Sequence, residues 1–243
     1  MIEMSMFGQT GPFAGQSGFG TMMQASAGFT LSMGWPDRPP TGPSVAYTDF
    51  IGSWYAMVAI LGAIDYRQRT GKGQYIDLSQ HEAGITFLSP AILGHTANNQ
   101  VLSPSGNRSP YAAPHGVYRC RGDERWCAIA VFYDEEWQAF CQVLGNSEWT
   151  KNDRFITFGD RKENEDELDR LVENWTICQE GEQVMLKLQQ VGVSAGIVET
   201  GSDFHYDPQL EHRGRFKRLD HPEMGTHVYE DSSWRLSGTP AEI

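Results

Sequence analysis

The sequence predicts a mixed α/β protein, with helix and strand patterns along one chain. Residues 43–69 hold an apolar pattern with the three-and-four spacing of a helix. Residues 74–79, QYIDLS, alternate and are rich in β-forming side chains, as in a strand. Residues 115–132 have the pattern of a hairpin, in which two apolar strands flank a polar RGDER turn.

Composition and charge narrow the possible functions. The chain has 243 residues, 40% hydrophobic and 21% charged, which suits one or two soluble globular domains. Its formal net charge is −12, from 19 basic and 31 acidic residues. Because phosphate neutralisation needs clustered Lys and Arg, we expect neither nucleic acid nor an anionic membrane as a partner. An anionic ligand would need a local basic pocket.

Cysteine usage and hydropathy predict a cytoplasmic protein. The four cysteines, at positions 120, 127, 141 and 178, form no CxxC pair, and the chain shows no secretory h-region. We therefore expect reduced thiols. A bilayer span needs roughly 20 apolar residues. Asp65 and the arginines around it close the longest apolar run, so we expect no membrane-spanning segment.

The first 43 residues predict a strand, a loop and a broken helix. IEMSMF at 2–7 is typical of a buried strand, and because a lone strand needs neighbours we suspect missing residues upstream. A loop with five glycines runs to Gly20. Residues 21–33 predict a short apolar helix broken at Gly28. Four prolines then exclude regular structure from residues 34–43.

The longest helical pattern follows and is expected to pack one wide apolar face in a core. Its repeating large residues are Phe50, Ile51, Trp54, Tyr55, Val58, Leu61 and Ile64. The helix should end near Thr70, because a GKG turn follows and Arg67 and Arg69 suit the negative end of the dipole.

Asp49 stands at the head of this helix and is the candidate catalytic residue. A carboxylate there can accept hydrogen bonds from the first turn, and the dipole favours its ionised form. Position alone favours a simple helix N-cap over catalysis. Gly52, one turn inside the helix, costs about 1 kcal/mol relative to Ala. Its presence indicates that something needs close access to the backbone beside the carboxylate.

The downstream residues predict further helices and strands. Residues 80–95 form one helix pattern, with His81 and Glu82 in its first turn. His81 and His95 point in different directions on that helix, so we expect no metal site. The other predicted elements are a loop at 97–114, helices at 134–144, 162–174, 180–190 and 203–213, a strand pair or loop at 191–199, and closing strands within 216–236.

Six motifs in this order resemble the class III CoA-transferase family, also called CaiB/BaiF. They are FGQTGPFAG, MQASAGF with WPDRPP, Asp49 with its helix, RTGKGQYIDLS, GNRSPYAAPHGVYRC and DPQLEHRG. The family includes formyl-CoA, carnitine-CoA and benzylsuccinate CoA-transferases and the α-methylacyl-CoA racemases. The resemblance covers nearly the whole chain, although the family's N-terminal part and usual C-terminal segment have no match here.

The resemblance implies an α/β fold with part of a Rossmann-like large domain and a smaller α+β domain, in an interlocked dimer. Residues 1–102 match the large-domain portion, with the catalytic Asp and linker helices. Residues 103–200 match the small domain, and residues 201–243 match a segment that returns to the large domain. The interlocked dimer of the family implies a homodimer, and because most of the nucleotide pocket belongs to the unmatched part, a heteromer with a related subunit is the alternative.

By similarity, Asp49 is the nucleophile of an acyl-CoA:carboxylate CoA transfer, through an aspartyl anhydride and an aspartyl-CoA thioester. The implied partners are an acyl-CoA, bound as a substrate, and a carboxylic acid, and no tightly bound cofactor is expected. The racemases place a His in the segment matching Gly18–Gly20, which holds no proton carrier here. Transfer is therefore favoured. A racemase-type enzyme and a non-catalytic structural subunit stay open as alternatives.

The residues expected to bind substrate or CoA lie on loops around Asp49. They are Gly8, Gln9, Gly11, Phe19, Gly52, Asn107, Arg108 and Tyr111. His115 is expected to be a hydrogen-bonded structural residue. Arg38, Arg69 and Lys72 either meet CoA phosphates or are simply solvated, and the second alternative is favoured for each. Aromatic residues in the loops suggest a bulky or aromatic acid, although core packing explains them equally well.

Overall fold

The computed structural model describes residues 1–241 as a mixed α/β protein with two compact units. The first unit is Met1–Arg108, and the second begins at Ser109. The predicted domain boundary, between residues 102 and 103, lies close to this division. Residues 201–241 belong to the second unit, where the sequence had predicted a separate segment. The return of that segment to the large domain stays a prediction.

The first unit contains a parallel strand pair and five helices among the described residues. These elements are β1 (Ile2–Ser5), α1 (Gly20–Ser26), α2 (Phe29–Ser32), α3 (Tyr47–Thr70), β2 (Ile76–Ser79), α4 (Gln80–Thr86) and α5 (Ser89–Asn98). The two strands pair in register from Ile2 with Ile76 to Ser5 with Ser79. The strand predicted at 2–7 therefore finds its neighbour within the chain. A local pattern does not reveal a parallel partner so distant in sequence.

The N-terminal helices pack against the start of α3. Gly28 separates α1 from α2 with a φ of +95°, a conformation that glycine adopts without strain, so the predicted break is confirmed. Behind this turn, Ala27, Phe29, Ile51 and Ala83 form a small buried cluster. The first turn of α3 is thus fixed by packing from both α1–α2 and α4.

Helix α3 ends where the sequence predicts. The N–H of Gly71 donates to the carbonyl oxygen of Arg67 at 2.8 Å, and Gly71 has a φ of +74°. This left-handed cap closes the last turn. The predicted helix at 80–95 is instead two helices, α4 and α5, because Pro90 lies in the first turn of α5 and cannot continue a helix interior.

The prediction that the apolar face of α3 packs in a core is wrong. Ile51 is buried, but Val58 is 72% exposed, Leu61 is 61% exposed, and the other predicted core residues of the face are also exposed. Trp54, expected in a core, is 53% exposed. Periodicity identified the helix and its apolar side, but it does not say what covers that side.

Helix α3 also corrects the statement that no apolar run approaches a membrane span. It is the one helix among residues 1–241 that is long and apolar enough to cross a bilayer by length and composition. One such helix is weak evidence, because core helices of soluble proteins meet the same criterion. Its first turn carries Asp49, and its last turn carries Arg67 and Arg69.

The second unit contains a three-stranded sheet, a set of helices and a two-stranded ribbon. Its elements are β3 (His115–Arg119), β4 (Trp126–Ala130), α6 (Asp134–Val143), α7 (Phe158–Glu163), α8 (Glu165–Thr176), α9 (Gly181–Gln190), β5 (Ser194–Ile197), α10 (Pro208–His212), β6 (Phe216–His221) and β7 (Gly225–Glu230). Three short 3₁₀ turns also occur, at Glu148–Lys151, Asp153–Phe155 and Asp203–His205. The predicted helix at 162–174 is split between α7 and α8.

The predicted hairpin is confirmed as β3 and β4, and β5 adds an antiparallel strand beside β4. The segment at 191–199, predicted as a strand pair or a loop, therefore supplies the third strand. The main buried core lies in this unit and includes Phe140, Phe155, Leu168 and Leu188. The closing strands are also confirmed, as the antiparallel ribbon of β6 and β7.

The four cysteines are free thiols. Desolvation by burial raises the pKa of Cys127 to about 12 and that of Cys141 to about 11. A buried thiol with a raised pKa stays protonated and is a poor nucleophile. Both side chains therefore serve as small apolar core residues.

Candidate active site

Asp49 lies in the first turn of α3 rather than at its cap. Ala46 is the N-cap residue, and no side chain caps the helix there, so the N-cap interpretation of Asp49 is wrong. The backbone of Asp49 is hydrogen-bonded, to Ala46 at 3.0 Å and to Ser53 Oγ at 2.9 Å. Its half-buried carboxylate forms no hydrogen bond or ion pair with the residues that the structure describes. Those oxygens are available to a reacting group.

Gly20 lies directly against this carboxylate. A Cβ atom added to Gly20 would lie 2.4 Å from Asp49 Oδ2 and 2.3 Å from Ala46 Cβ. The buried Thr48 holds the two segments together, because its Oγ1 donates to the carbonyl oxygen of Gly20 at 3.3 Å. The sequence analysis considered Gly20 only as the lack of a proton carrier. Its contact with Asp49 is visible only in the fold.

Gln24 fixes the entry to α3 and was missed by the sequence analysis. Its side chain is 3% exposed. Its Nε2 donates to the carbonyl oxygen of Pro43 at 3.0 Å, and its Oε1 accepts from the N–H of Tyr47 at 3.1 Å. The signal was present as a polar residue within the apolar α1 pattern, since buried polar side chains are normally hydrogen-bonded. Gln24 thereby holds the first turn that carries Asp49.

Gly52 leaves room for the Gln80 side chain to pack against the backbone of α3. A Cβ atom at this position would lie 2.9 Å from Gln80 Cγ and 3.4 Å from Met4 Sδ. The close approach that the sequence indicated is therefore that of Gln80. Packing accounts for this glycine without a ligand, and its contact with substrate stays a prediction.

The glycine-rich loop is anchored at both ends. Gly8 is buried with a φ of +88°, and the N–H of Gln9 donates to the Asp77 carboxylate on β2 at 3.0 and 3.1 Å. At the other end, Phe19 precedes Gly20, and its side chain is 68% exposed. The loop thus runs from the end of β1, beside Asp77 on β2, to the Asp49 carboxylate. An exposed aromatic ring lies in the chain next to Gly20.

The turn at 106–108 packs against the proline-rich loop. The N–H of Gly106 donates to the carbonyl oxygen of Gly34 at 2.8 Å, and a Cβ atom on Gly106 would lie 2.5 Å from the Trp35 ring. Asn107 and Arg108 extend from this turn in the first unit. Tyr111 belongs to the second unit and is 77% exposed. Contact of these three residues with Asp49 stays a prediction.

The contacts of His81 in the first unit are with residues other than Asp49. The His81 ring packs on Phe7 at 5.1 Å between centroids, and its Nε2 lies 3.3 Å from the carbonyl oxygen of Ser26. In residues 1–241, no group of three or more His, Cys, Asp or Glu side chains is arranged to hold a metal ion.

The exposed Arg69 pairs with Asp65 at 3.0 Å. In the second unit, His115 packs against Phe132.

The chain belongs to CoA-transferase family III, which it matches over residues 1–243. It is 30% identical over 243 residues to succinyl-CoA–D-citramalate CoA-transferase of Chloroflexus aurantiacus, covering 100% of this chain and 60% of that protein. It is 32% identical over 193 residues to acetyl-CoA:oxalate CoA-transferase of Acetobacter aceti, covering 79% of this chain and 49% of that protein. The predicted family is therefore confirmed.

Solved structures support the same fold. A CaiB/BaiF family protein from Brucella suis superposes with a TM-score of 0.87 and 29% identity, covering 98% of this chain and 61% of that chain. Rv3272 from Mycobacterium tuberculosis, at 18% identity and a TM-score of 0.80, shares the fold, covering 100% of this chain and 64% of that chain. The predicted α/β class is confirmed. The chain spans less than two thirds of each of these four proteins.

Proposed function

We propose that this protein moves CoA from an acyl-CoA to a carboxylic acid, with Asp49 as the nucleophile. The observation that carries the proposal is the carboxylate itself. It lies in the first turn of α3, against Gly20, and forms no hydrogen bond or ion pair with the described residues. Membership of CoA-transferase family III supports the same chemistry.

The reaction begins when an Asp49 oxygen attacks the thioester carbonyl of the acyl-CoA. The C–S bond breaks, which leaves a mixed anhydride on Asp49 and a free CoA thiolate. The thiolate then attacks the Asp49 carbonyl carbon, which releases the first acid as its carboxylate and forms an aspartyl-CoA thioester. The incoming carboxylate attacks that thioester and expels the thiolate. Attack of the thiolate on the new acyl carbonyl gives the product and restores Asp49.

The position of Asp49 supports each of these steps. Every tetrahedral intermediate carries a negative oxygen close to the Asp49 side chain. The N-terminal turn of the 24-residue helix α3 bears the positive end of the helix dipole, which stabilises such an oxygen. Because Gln24 and Thr48 hold the backbone around this turn, the nucleophile is oriented before substrate arrives.

Substrate and CoA contacts are proposed along the glycine-rich loop and the 106–111 segment. Gly11 is exposed with open space around its Cα, so a ligand can approach the backbone there, and Phe19 offers an exposed ring beside Gly20. CoA is proposed as a substrate that leaves after turnover, with no resident cofactor. The named relatives act on succinyl-CoA or acetyl-CoA with D-citramalate or oxalate. Short dicarboxylic acids are therefore the first acceptors to test, beside an aryl acid.

The geometry favours transfer over racemisation. A racemase of this family would need a proton carrier in the segment Gly18–Gly20. A side chain on Gly20 would meet the Asp49 carboxylate at 2.4 Å, so this position admits none without moving the nucleophile. A purely structural subunit would have no need of the available carboxylate that Asp49 presents.

The exposed apolar face of α3 supports a further protein partner. Large contiguous apolar patches on a soluble protein mark interfaces. We propose that this face is covered in a cytoplasmic homodimer, or in a heteromer with a related subunit. The relatives include alpha and beta subunits of a succinyl-CoA–L-malate CoA-transferase of Chloroflexus aurantiacus. A native mass of one chain, or recovery in the membrane fraction, would contradict this proposal.

A turnover assay tests the proposed function. The full polypeptide that the gene encodes is incubated with succinyl-CoA or acetyl-CoA and a panel of aliphatic and aryl acids, and new acyl-CoA is measured by mass spectrometry. We expect transfer to at least one acid and its loss in Asp49→Ala. The matched control is Asp37→Ala, because Asp37 is also acidic but exposed in the proline-rich loop. Equal turnover by Asp49→Ala and Asp37→Ala would refute the role of Asp49.

A further inference from the structure

The second unit holds a cavity that is lined by none of the residues proposed to act or bind at Asp49. Its volume is about 460 Å³, and it lies between the 3₁₀ turn Asp203–His205, α10 and one face of the β6–β7 ribbon. All of its lining residues lie in the second unit. A cavity of this size accommodates a small organic molecule.

One guanidinium in the cavity is available to a ligand. Arg218 lies on the same face of β6 as Phe216, because alternate residues of a strand share a face, and both line the cavity. Arg218 forms no hydrogen bond or ion pair with the described residues. The neighbouring cations are occupied, since Arg215 pairs with Glu230, and Lys217 pairs with Asp231 at 2.9 Å.

The cavity wall beside Arg218 is apolar and aromatic. The Phe216 ring packs against His205 at 4.7 Å between centroids. Leu210 on α10 and Val228 on β7 complete this wall. A flat or short apolar body would therefore find a hydrophobic surface next to the Arg218 guanidinium. A site with an apolar wall and one oriented charge is typical of small-molecule binding.

The charges of Arg218 and Glu211, which both line the cavity, favour a monoanion over a dianion as the ligand. Glu211 also lines the cavity, so the carboxylate of Glu211 offsets the charge of Arg218. A phosphate dianion would be repelled by Glu211 with only one guanidinium to balance it, whereas one carboxylate matches one guanidinium. We propose that this cavity binds a small organic acid, with its carboxylate on Arg218 and its apolar body against Phe216, Leu210 and Val228. The proposal does not depend on transferase activity.

Calorimetric titration of the full protein with benzoate tests this site. We expect saturable binding, with benzamide, which lacks the charge, and phenyl phosphate, which is a dianion, both binding more weakly. Arg218→Met should weaken benzoate binding about tenfold or more, because a charge-assisted hydrogen bond is lost. The matched control is Arg213→Met, because Arg213 is exposed at the end of α10 and does not line the cavity. It should bind benzoate as the wild type does.

A second variant keeps the test independent of any effect of the Arg218 substitution on folding. Glu211→Gln removes the repelling charge at an exposed position, so benzoate binding should tighten by about twofold or more. The proposal is overturned if the wild type shows no saturable binding of benzoate. It is also overturned if Arg218→Met and Arg213→Met bind benzoate equally, or if phenyl phosphate binds more tightly than benzoate.

Discussion

Gly20 and Asp49 lie so close that no side chain fits between them. A Cβ atom on Gly20 would fall 2.4 Å from Asp49 Oδ2, and distances under 3.0 Å essentially never occur for real Cβ atoms. The position of the carboxylate therefore depends on the glycine. The carbonyl oxygen of the same glycine also accepts a hydrogen bond from Oγ1 of Thr48, which precedes Asp49 in the chain.

Substitution of Gly20 should impair turnover, and because an added Cβ atom would also lie 2.3 Å from Ala46 Cβ, it should lower the free energy of unfolding as well. In Gly20→Ala the Asp49 carboxylate must move, and a shift of about 1 Å in a reacting group costs up to about 100-fold in rate. We expect kcat to fall by at least about tenfold. The control is Gly15→Ala, since a Cβ atom on Gly15 meets nothing within 4 Å. Unchanged kcat in Gly20→Ala would show that the contact does not position the nucleophile.

Gln24 should contribute to both stability and turnover. Gln24→Met keeps the size of the side chain but removes the donor to the Pro43 carbonyl, and it leaves the Tyr47 N–H with the Val45 carbonyl oxygen as its only acceptor among the described residues. An unsatisfied buried polar group costs about 1–3 kcal/mol, so the free energy of unfolding should fall by that amount. Urea denaturation measures it. Gln142→Met, at an exposed position on α6, should change it by less than about 0.5 kcal/mol.

Arg161 should be the most costly polar residue to remove from the second unit. Its buried guanidinium donates to the carbonyl oxygen of Ala113 at 2.9 Å and to Asp134 at 2.8 Å, and it lies over the Trp137 ring. Arg161→Met should lower the free energy of unfolding by about 3 kcal/mol or more. Thermal denaturation with the exposed Arg170→Met as control tests this. Similar melting of the two variants would contradict the structural role of Arg161.

Asp203 should make the second unit sensitive to acid. Hydrogen bonds from Arg125, at 2.7 and 3.1 Å, and from Thr200 hold the pKa of Asp203 well below its ordinary value. A carboxyl group whose pKa is lowered by folding stabilises the fold above its ordinary pKa of about 4. That stabilisation is lost as the pH falls toward the lower, folded-state pKa.

The measurement is the free energy of unfolding of wild type and Asp203→Asn as a function of pH. The variant should be less stable than the wild type near neutral pH, and the difference should shrink as the pH falls below about 4. A difference that stays constant with pH would show that the Arg125–Asp203 pair does not account for the acid sensitivity.

The sequence predicted the elements that depend on local chemistry. The end of α3 at Thr70 follows from Gly71, and the β3–β4 hairpin follows from two alternating runs around a polar turn. The two helices α4 and α5 were merged because their shared periodicity outweighed Pro90. Each of these outcomes rests on a few neighbouring residues.

The arrangement of the site residues could be learned only from the three-dimensional structure. Gly20 and Gln24 on α1 meet the entry and first turn of α3 through contacts between separate elements, and a glycine leaves no chemical signature in a sequence. The exposure of Val58 and Leu61 was also unpredictable, because an apolar stripe looks the same whether its cover comes from the same chain or from another. Asp49 was found by its place at the head of the longest helical pattern and by its match to the family motif, whereas its position inside the first turn, after the Ala46 cap, emerged only from the structure.

The central claim is that Asp49 carries the acyl group and CoA covalently, and hydroxylamine trapping tests it most directly. The full protein is incubated with an acyl-CoA, quenched with hydroxylamine, digested and mapped by mass spectrometry beside Asp49→Ala. The account predicts a hydroxamate on Asp49 that depends on the acyl-CoA and is absent from the variant. An unmodified Asp49 in protein that turns over acyl-CoA would contradict it.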